Sequence, residues 1–457
     1  MNIIITIVVT ALAVLYAGLF KAKKALLPLT LVGLVTALAF AVTAWDTNIV
    51  YYGMMEMDNF AIAFSSLIIL GTIFIFLLTQ NYFAEHSENV AEYYTLILFA
   101  LSGMVIILSY TNMSMLFIGI EIMSVALYIL AGIRKKDFAS NEASLKYFLM
   151  GAFSTGFLLF GIALIYGATG SFSLDAINKY LISNHQSVSP LFYPGMILIM
   201  VGLCFKLGAA PFHFWTPDVY EGSPSLITAF MSTVVKTAGF AAFLRLFGGT
   251  FAPLHDFWMP PLLAIVFITL FIGNVTALFQ KNFKRMLAYS SISHAGYLLF
   301  SLVTLTGNSS NNVIVYAAAY TFASIIAFAV LILVKQKTGG DGFESYNGLA
   351  KKNPFVALAL TISMLSLAGI PLTAGFIGKY LMFLNVMTEY HIYLVAFAIL
   401  NALIGFYYYL KVIVAMYFKE GPEVELNAPV QYKLVLILSV IITLVLGVYP
   451  AVILNLI

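Results

Sequence analysis

Five titratable side chains stand where a chain this apolar has least room for them. Glu121, Lys206, Lys236, His294 and Lys379 each fall inside a long hydrophobic run. Lys206 opens the segment FKLGAAPFHFWTPDVYEGSP, five residues before a proline that should break its helix. A charge near the centre of a bilayer costs about 2.5–3.5 kcal/mol on insertion scales, so such residues face a partner or water. Burial disfavours the charged form and pairing favours it, so a buried Glu–Lys set can exchange protons when a neighbouring charge tips the balance. That is the physical requirement for a proton relay.

His294 suits the same chemistry, because an imidazole titrates near physiological pH. It lies in AYSSISHAGY, among the hydroxyls of Tyr289, Ser290, Ser291, Ser293 and Tyr297. Each residue also has a plainer reading. Glu121 as a neutral acid serves packing, Lys236 serves as its structural partner, and a lone helical histidine is often structural. Lys146 and Lys411 fall close to helix ends, where a long side chain snorkels to the headgroups. His213 follows the break at Pro211 and suits the capping of freed backbone groups.

The elements that must hold these residues are membrane helices. The chain has 457 residues, 62% of them hydrophobic and 9% charged, with a mean hydropathy of +1.00. Soluble domains carry about 25% charged residues, so the composition points to a polytopic membrane protein. Apolar stretches of about 20 residues are expected at 2–20, 25–45, 59–80, 93–110, 112–133, 145–168, 193–216, 224–247, 257–279, 286–306, 312–334, 355–388, 393–418 and 432–455, an all-α bundle of about 14 transmembrane helices. The first run does not read as a signal peptide, because Lys21, Lys23 and Lys24 follow it. SLDAINKYLI suits a short amphipathic helix at the outer surface.

Charge asymmetry gives an orientation. With both termini outside, the inner connections hold 15 basic residues, including Arg134, Lys135, Lys136, Lys281, Lys284 and Arg285, and the outer ones only Lys179 and Arg245. The inner loop QNYFAEHSENVAEYY is an acidic exception. Basic residues are too scattered for nucleic-acid binding. Cys204 is the single cysteine, which excludes a disulfide framework or an all-cysteine iron–sulfur cluster within the chain. No GxGxxG or Walker A pattern occurs.

Two spans contain Gly–Pro interruptions, GAAP beside Lys206 and GIPLTAGFIGKY beside Lys379. Proline removes a donor and clashes with the preceding turn, and freed carbonyls at membrane depth must be buried in protein or line a wet cavity. The two discontinuous helices are the seventh and twelfth spans. Their odd separation suggests inverted five-helix repeats. The organisation expected is N-terminal helices at 1–92, a first repeat at 93–247, a second at 257–418 and a C-terminal helix at 432–457.

These segments carry a resemblance. FKLGAAPFHFWTPDVYEGSP with ITAFMSTVVKTAGFAAFLR, KRMLAYSSISHAGY and AGIPLTAGFIGKY is similar to the antiporter-like membrane subunits of respiratory complex I, over essentially the whole chain. The VYEGSP ending and basic Lys379 resemble the subunit N branch. Subunit M typically has an acid at the twelfth-helix position, and subunit L has a long lateral helix that this chain is too short to supply. The resemblance implies proton translocation driven by electron transfer from NADH to quinone. It implies roles for Glu121 as the fifth-helix carboxylate, Lys206 and Lys236 as seventh- and eighth-helix lysines, His294 as the tenth-helix link and Lys379 as the outlet-side lysine. Lys146 matches a sixth-helix position. It places FMN, iron–sulfur clusters and quinone in partner subunits, none in this chain, with other membrane-arm subunits, lipid, protons and water as partners in a bacterial inner membrane. The alternatives are a sodium/proton antiporter subunit of the multisubunit type, a ferredoxin- or hydrogenase-linked relative, and a structural scaffold.

Overall fold

A computed structural model describes residues 1–79, 82–83, 89–184, 187–303, 305, 309–388, 392–421 and 425–454. Much of the acidic loop after the third span lies outside the described residues. The chain folds as a helical bundle: α1 Asn2–Leu19, α2 Lys23–Thr43, α3 Asn59–Leu77, α4 Val90–Ser109, α5 Met113–Ala131, α6 Phe138–Thr169, α7 Leu174–Ser183, α8 Phe192–Leu207, α9 Trp215–Gly222 and α10 Ser225–Thr250. Then follow α11 His255–Leu278, α12 Phe283–Val303, α13 Ser309–Thr338, α14 Pro354–Ala368, α15 Ala374–Thr388, α16 Ile392–Phe418 and α17 Val430–Val448. Among the described residues, 12 helices are long and apolar enough to cross a membrane, and α8, α14 and α15 are shorter apolar helices.

Phe153, Phe160, Leu145 and Leu403 are at least half exposed on the outside of the bundle. A contiguous apolar exterior of this kind suits lipid and not water. The chain is a multi-span membrane protein. Its interior is α10, α12 and α13, whose most apolar windows are 94%, 94% and 100% buried, while α1 and α2 lie at the edge. The helices carrying Lys236 and His294 are thus two of the three most enclosed.

Both interrupted helices end in the same way. Gly208 and Gly369 adopt left-handed φ of 67° and 88°. Gly208 N donates to Phe205 O and Ala209 N to Cys204 O; Gly369 N donates to Ser366 O and Ile370 N to Leu365 O. This pair of bonds is the Schellman ending that a glycine after the last helical residue favours. The chain re-enters helix at α9 and α15.

Several expectations need correction. A two-stranded hairpin, Ile49–Tyr51 with Met55–Met57, interrupts the all-α pattern, and it turns at Tyr52 and Gly53 with positive φ. The last membrane-length helix stops at Val448, where Pro450 cannot continue it, and a short helix Ala451–Leu454 follows. Helix α6 begins at Phe138, so Lys146 lies two turns inside it. Lys284 is no solvated loop residue: it is only 2% exposed and donates to the carbonyls of Glu221 and Ser223 where α9 ends. Helix α10 contains two π-helical stretches, Met231–Val235 and Leu244–Thr250, and Lys236 follows the first directly. Stretches of this kind widen a helix and recur at functional sites.

Candidate proton relay

Lys206 occupies the last turn of α8 and is buried. Its Nζ donates to Ser124 Oγ at 2.9 Å and to Tyr128 OH at 3.2 Å, both on α5. Glu121, Ser124 and Tyr128 share one face of α5, because positions three and four apart are helical neighbours. Yet Glu121 makes no ion pair among the described residues, and its Oε1 is buried without a hydrogen-bond partner. It is not a ligand of the Lys206 ammonium.

An aromatic bracket fixes this end of the site. Trp215 stacks on Tyr147 with centroids 4.7 Å apart and planes 11° apart, and Tyr147 meets Tyr128 edge-on at 4.8 Å. Trp215 Nε1 also donates to Phe205 O at 3.0 Å, capping a carbonyl beside the break. Thr269 Oγ1 accepts from Ala210 N at 2.9 Å. His213 is buried and stacks on Phe214 at 4.7 Å, within the broken segment but away from the lysine contacts described here.

Lys236 points to α12. Its Nζ donates to Ser291 O at 2.6 Å and to Ser291 Oγ at 3.0 Å, with the Tyr220 ring 6.0 Å away. It is not Glu121's partner. One residue before Ser291, the Ser290 hydroxyl bonds Tyr409 OH. Tyr409 OH lies 3.1 Å from His294 Nε2, and Tyr316 OH lies 2.7 Å from His294 Nδ1. Each tyrosine hydroxyl both donates and accepts, so the imidazole can take a proton on one nitrogen and release one from the other. The line Ser290–Tyr409–His294–Tyr316 thus joins α12, α16 and α13 through exchangeable hydrogens.

Tyr316 leads toward the second break, where Gly378 packs so tightly on its ring that an added Cβ would sit 2.7 Å from it. Next in sequence, Lys379 donates to Leu367 O and Ala368 O, each at 2.9 Å, and lies 4.8 Å from the Tyr297 ring centroid. These are the two carbonyls that the Schellman bonds leave open at the end of α14. At the first break no described donor reaches the matching carbonyls of Lys206 and Leu207.

Lys146 stands apart from this line. Its Nζ pairs with Glu142 at 2.7 Å and Asp218 at 2.8 Å, and Asp218 also meets Arg285 at 3.3 Å. Arg285 pairs with Glu221 as well. This network links α6, α9 and α12 at the end of the bundle that holds Arg134 and Lys284. Lys411 reaches Gln280 O at 3.4 Å and the Phe343 ring at 4.5 Å, in the same region and outside the line. Ser124, Tyr128, Tyr316 and Tyr409 are relay contacts that the sequence did not single out.

Three comparisons bear on this arrangement. A family model described as NADH:quinone oxidoreductase/Mrp antiporter, TM, matches residues 110–405, which span Glu121, Lys206, Lys236, His294 and Lys379 and every residue of the line but Tyr409. A curated relative, NADH-quinone oxidoreductase subunit N of Cytophaga hutchinsonii, is 42% identical over 100% of this chain and 99% of its own length. The chain belongs to the subunit N family. A second relative, NADH-quinone oxidoreductase subunit N of Flavobacterium psychrophilum, is 40% identical over 100% of both chains. Among solved structures, a chain of respiratory complex I from Thermus thermophilus superposes with a TM-score of 0.85 at 33% identity, covering 99% of this chain and 98% of that one. A chain of the Mrp complex from Dietzia sp. superposes at 0.87 with 20% identity, covering 99% and 95%, which shows a common fold.

Proposed function

We propose that the chain carries protons across the membrane as a membrane-arm subunit of an NADH–quinone oxidoreductase, by way of Lys206, Lys236, His294 and Lys379. The observation that carries this reading is the hydrogen-bonded line from Ser290 through Tyr409 and His294 to Tyr316, flanked by Lys236 on Ser291 and by Lys379 at a broken helix. With the chain oriented so that its basic connections face the cytoplasm and both termini face outside, protons enter at Lys206 and leave by Lys379. Fourteen crossings and two inverted repeats follow if each broken pair makes one span; the matching ends at Gly208 and Gly369 support that reading.

Glu121 sets the proton affinity of Lys206 electrostatically. Moving a proton against 100 mV requires about 2.3 kcal/mol. Glu121 makes no ion pair with Lys206, so a charge gained or lost there is worth less than the about 4 kcal/mol of a 4 Å contact at an effective dielectric near 20. At twice that distance it is worth about 2 kcal/mol, which is of the size required. A charge change passed on by an adjacent subunit to Glu121 would supply that step. FMN, iron–sulfur clusters and quinone belong to partner subunits, and this chain does no redox chemistry itself. Lys146 and His213 stand toward the entry side, outside the line.

The test replaces Lys206 by Met in the assembled complex and measures NADH-driven proton uptake in inverted vesicles. Pumping should fall while assembly holds. Pumping at the wild-type ratio of protons to electrons would remove Lys206 from the path. Sodium-dependent proton movement with no quinone substrate would favour the antiporter reading.

A further inference from the structure

Helix α17 carries no member of the proposed relay, yet its backbone touches the second break. A Cβ added to Gly447 would press into Leu372 O and lie 2.6 Å from the carbonyl carbons of Leu372 and Thr373. Real Cβ atoms essentially never come within 3.0 Å of a neighbour, so this approach exists only because residue 447 has no side chain. Leu372 and Thr373 lie in the turn between α14 and α15, which feeds directly into the helix that carries Lys379.

That turn needs holding. Leu372 adopts φ of 72°, a left-handed conformation that a leucine disfavours. Its side chain is 70% exposed, so burial of its own does not offset the strain. Strained backbone persists where its surroundings over-determine it, and functional sites are where it collects. Here the surroundings close in from several sides. Thr373 Oγ1 donates to Ile370 O at 2.7 Å within the turn. Gly375 N donates to Ser366 Oγ at 3.1 Å, and a Cβ at 375 would overlap Ser366 O. Gly378 lies as tightly on Tyr316. The start of α15 is thus wedged against α14 and α13, with α17 behind the turn. Lys379 depends on that placement: its stem crosses Gly369, where an added Cβ would lie 2.9 Å from Cδ, and its Nζ reaches Leu367 O and Ala368 O.

We infer that Gly447 is a positioning residue: by seating the Leu372–Thr373 turn, α17 keeps the Lys379 ammonium on the end of α14. This rests on the proposed role of Lys379. A side chain at 447 pushes the turn away from α17 by at least several tenths of an ångström. The contact of Gly375 with Ser366 leaves the start of α15 no slack, so the push passes along the helix to Lys379. Its bonds to the two carbonyls then lengthen. A reacting group misplaced by about 1 Å loses up to about a hundredfold in rate.

Variants of the assembled complex test this in inverted vesicles, with NADH-driven proton uptake measured per complex. Gly447→Ala should lower uptake by about tenfold or more. Adding Leu372→Gly to Gly447→Ala should recover most of the loss, because a glycine accepts any φ and lets the turn bend around the new methyl. A reduced yield of Gly447→Ala complex that pumps at the wild-type rate per complex would make the seat structural only, and the inference fails. A double variant no better than Gly447→Ala alone also overturns it. If Gly447→Ala does not assemble, Leu372→Gly and Leu372→Val decide. Both give up the same exposed leucine, but only glycine takes a left-handed φ without cost. Slow uptake with Leu372→Val beside near-wild-type uptake with Leu372→Gly supports the inference, and equal rates overturn it. Normal pumping by Gly447→Ala beside an impaired Lys379→Met removes the seat and leaves the relay standing. Normal pumping by Lys379→Met removes the relay reading, and this inference falls with it.

Discussion

Lys379 closes the two carbonyls, Leu367 O and Ala368 O, that the ending of α14 leaves without backbone donors. Lys379 is therefore a helix cap as well as a member of the proposed relay. Its counterpart at the first break leaves that work undone: Lys206 turns to Ser124 and Tyr128, and Trp215 caps Phe205 O. Two similar breaks thus hold their lysines by different ligands.

Lys379→Met should cost stability as well as pumping. A buried carbonyl left unsatisfied costs about 1–3 kcal/mol, and two are exposed to that loss. Thermal dissociation of the purified complex should begin at a lower temperature than for Lys206→Met, whose ligands are hydroxyls that can turn to other acceptors. Equal thermal profiles would contradict the capping role.

Trp215→Phe keeps an aromatic ring against Tyr147 and removes the Nε1 donor to Phe205 O. Phe205 O keeps its bond from Gly208 N, so the expected cost is that of one lost hydrogen bond, about 0.5–1.5 kcal/mol. Pumping should decline along with stability, because the bracket that holds Tyr128 loosens. The same measurements on Trp215→Phe and Tyr128→Phe separate the two: the first moves the melting temperature, the second moves proton uptake alone.

Gly208→Ala tests the break itself. Gly208 has φ of 67°, and a Cβ there would lie 2.6 Å from Thr216 Oγ1. Left-handed backbone costs a residue with a Cβ about 1–2 kcal/mol, and the clash adds to it. Reduced assembly of the Gly208→Ala complex, read as its yield on native gels, is the expected result.

Asp218→Asn should matter little for stability. Its two ion pairs, with Lys146 at 2.8 Å and Arg285 at 3.3 Å, are substantially exposed. Pairs of that kind contribute about 0–1 kcal/mol. Thermal dissociation close to wild type is expected, and a large drop would show that the network holds α9 in place.

The sequence showed Glu121, Lys206, Lys236, His294 and Lys379 because a charge in an apolar run is conspicuous. It showed both breaks because glycine and proline punctuate a helix wherever they stand. Tyr128, Tyr316 and Tyr409 were hidden among 27 tyrosines. Aromatic residues are ordinary in membrane helices, and only the packing of α12, α13 and α16 around His294 tells these apart. Lys284 misled for a related reason: counting basic residues near helix ends cannot separate a solvated lysine from one buried as a cap on α9. The π-helical stretches beside Lys236 leave no residue signature, since TVVKTAGF reads as ordinary apolar helix. The hairpin at Ile49–Tyr51 is three residues to a strand, too short for alternation to register.

Loss of one hydroxyl tests the middle of the line. Tyr409→Phe removes the bond to Ser290 and the contact with His294 Nε2, with the ring left to pack on Tyr408 at 4.5 Å. Proton uptake should slow by about tenfold or more, since a positioned proton-transfer group is lost. Thermal stability should stay near wild type.

The central claim is that protons cross through this chain's own interior, and Lys236 is the residue with least else to do. It sits in one of the three most enclosed helices and, among the described residues, bonds only Ser291. The decisive measurement is the ratio of protons pumped to electrons delivered to quinone by the Lys236→Met complex in sealed proteoliposomes. A lower ratio, with the complex intact by native gel, is the result predicted. An unchanged ratio at an unchanged rate would mean that the protons travel elsewhere.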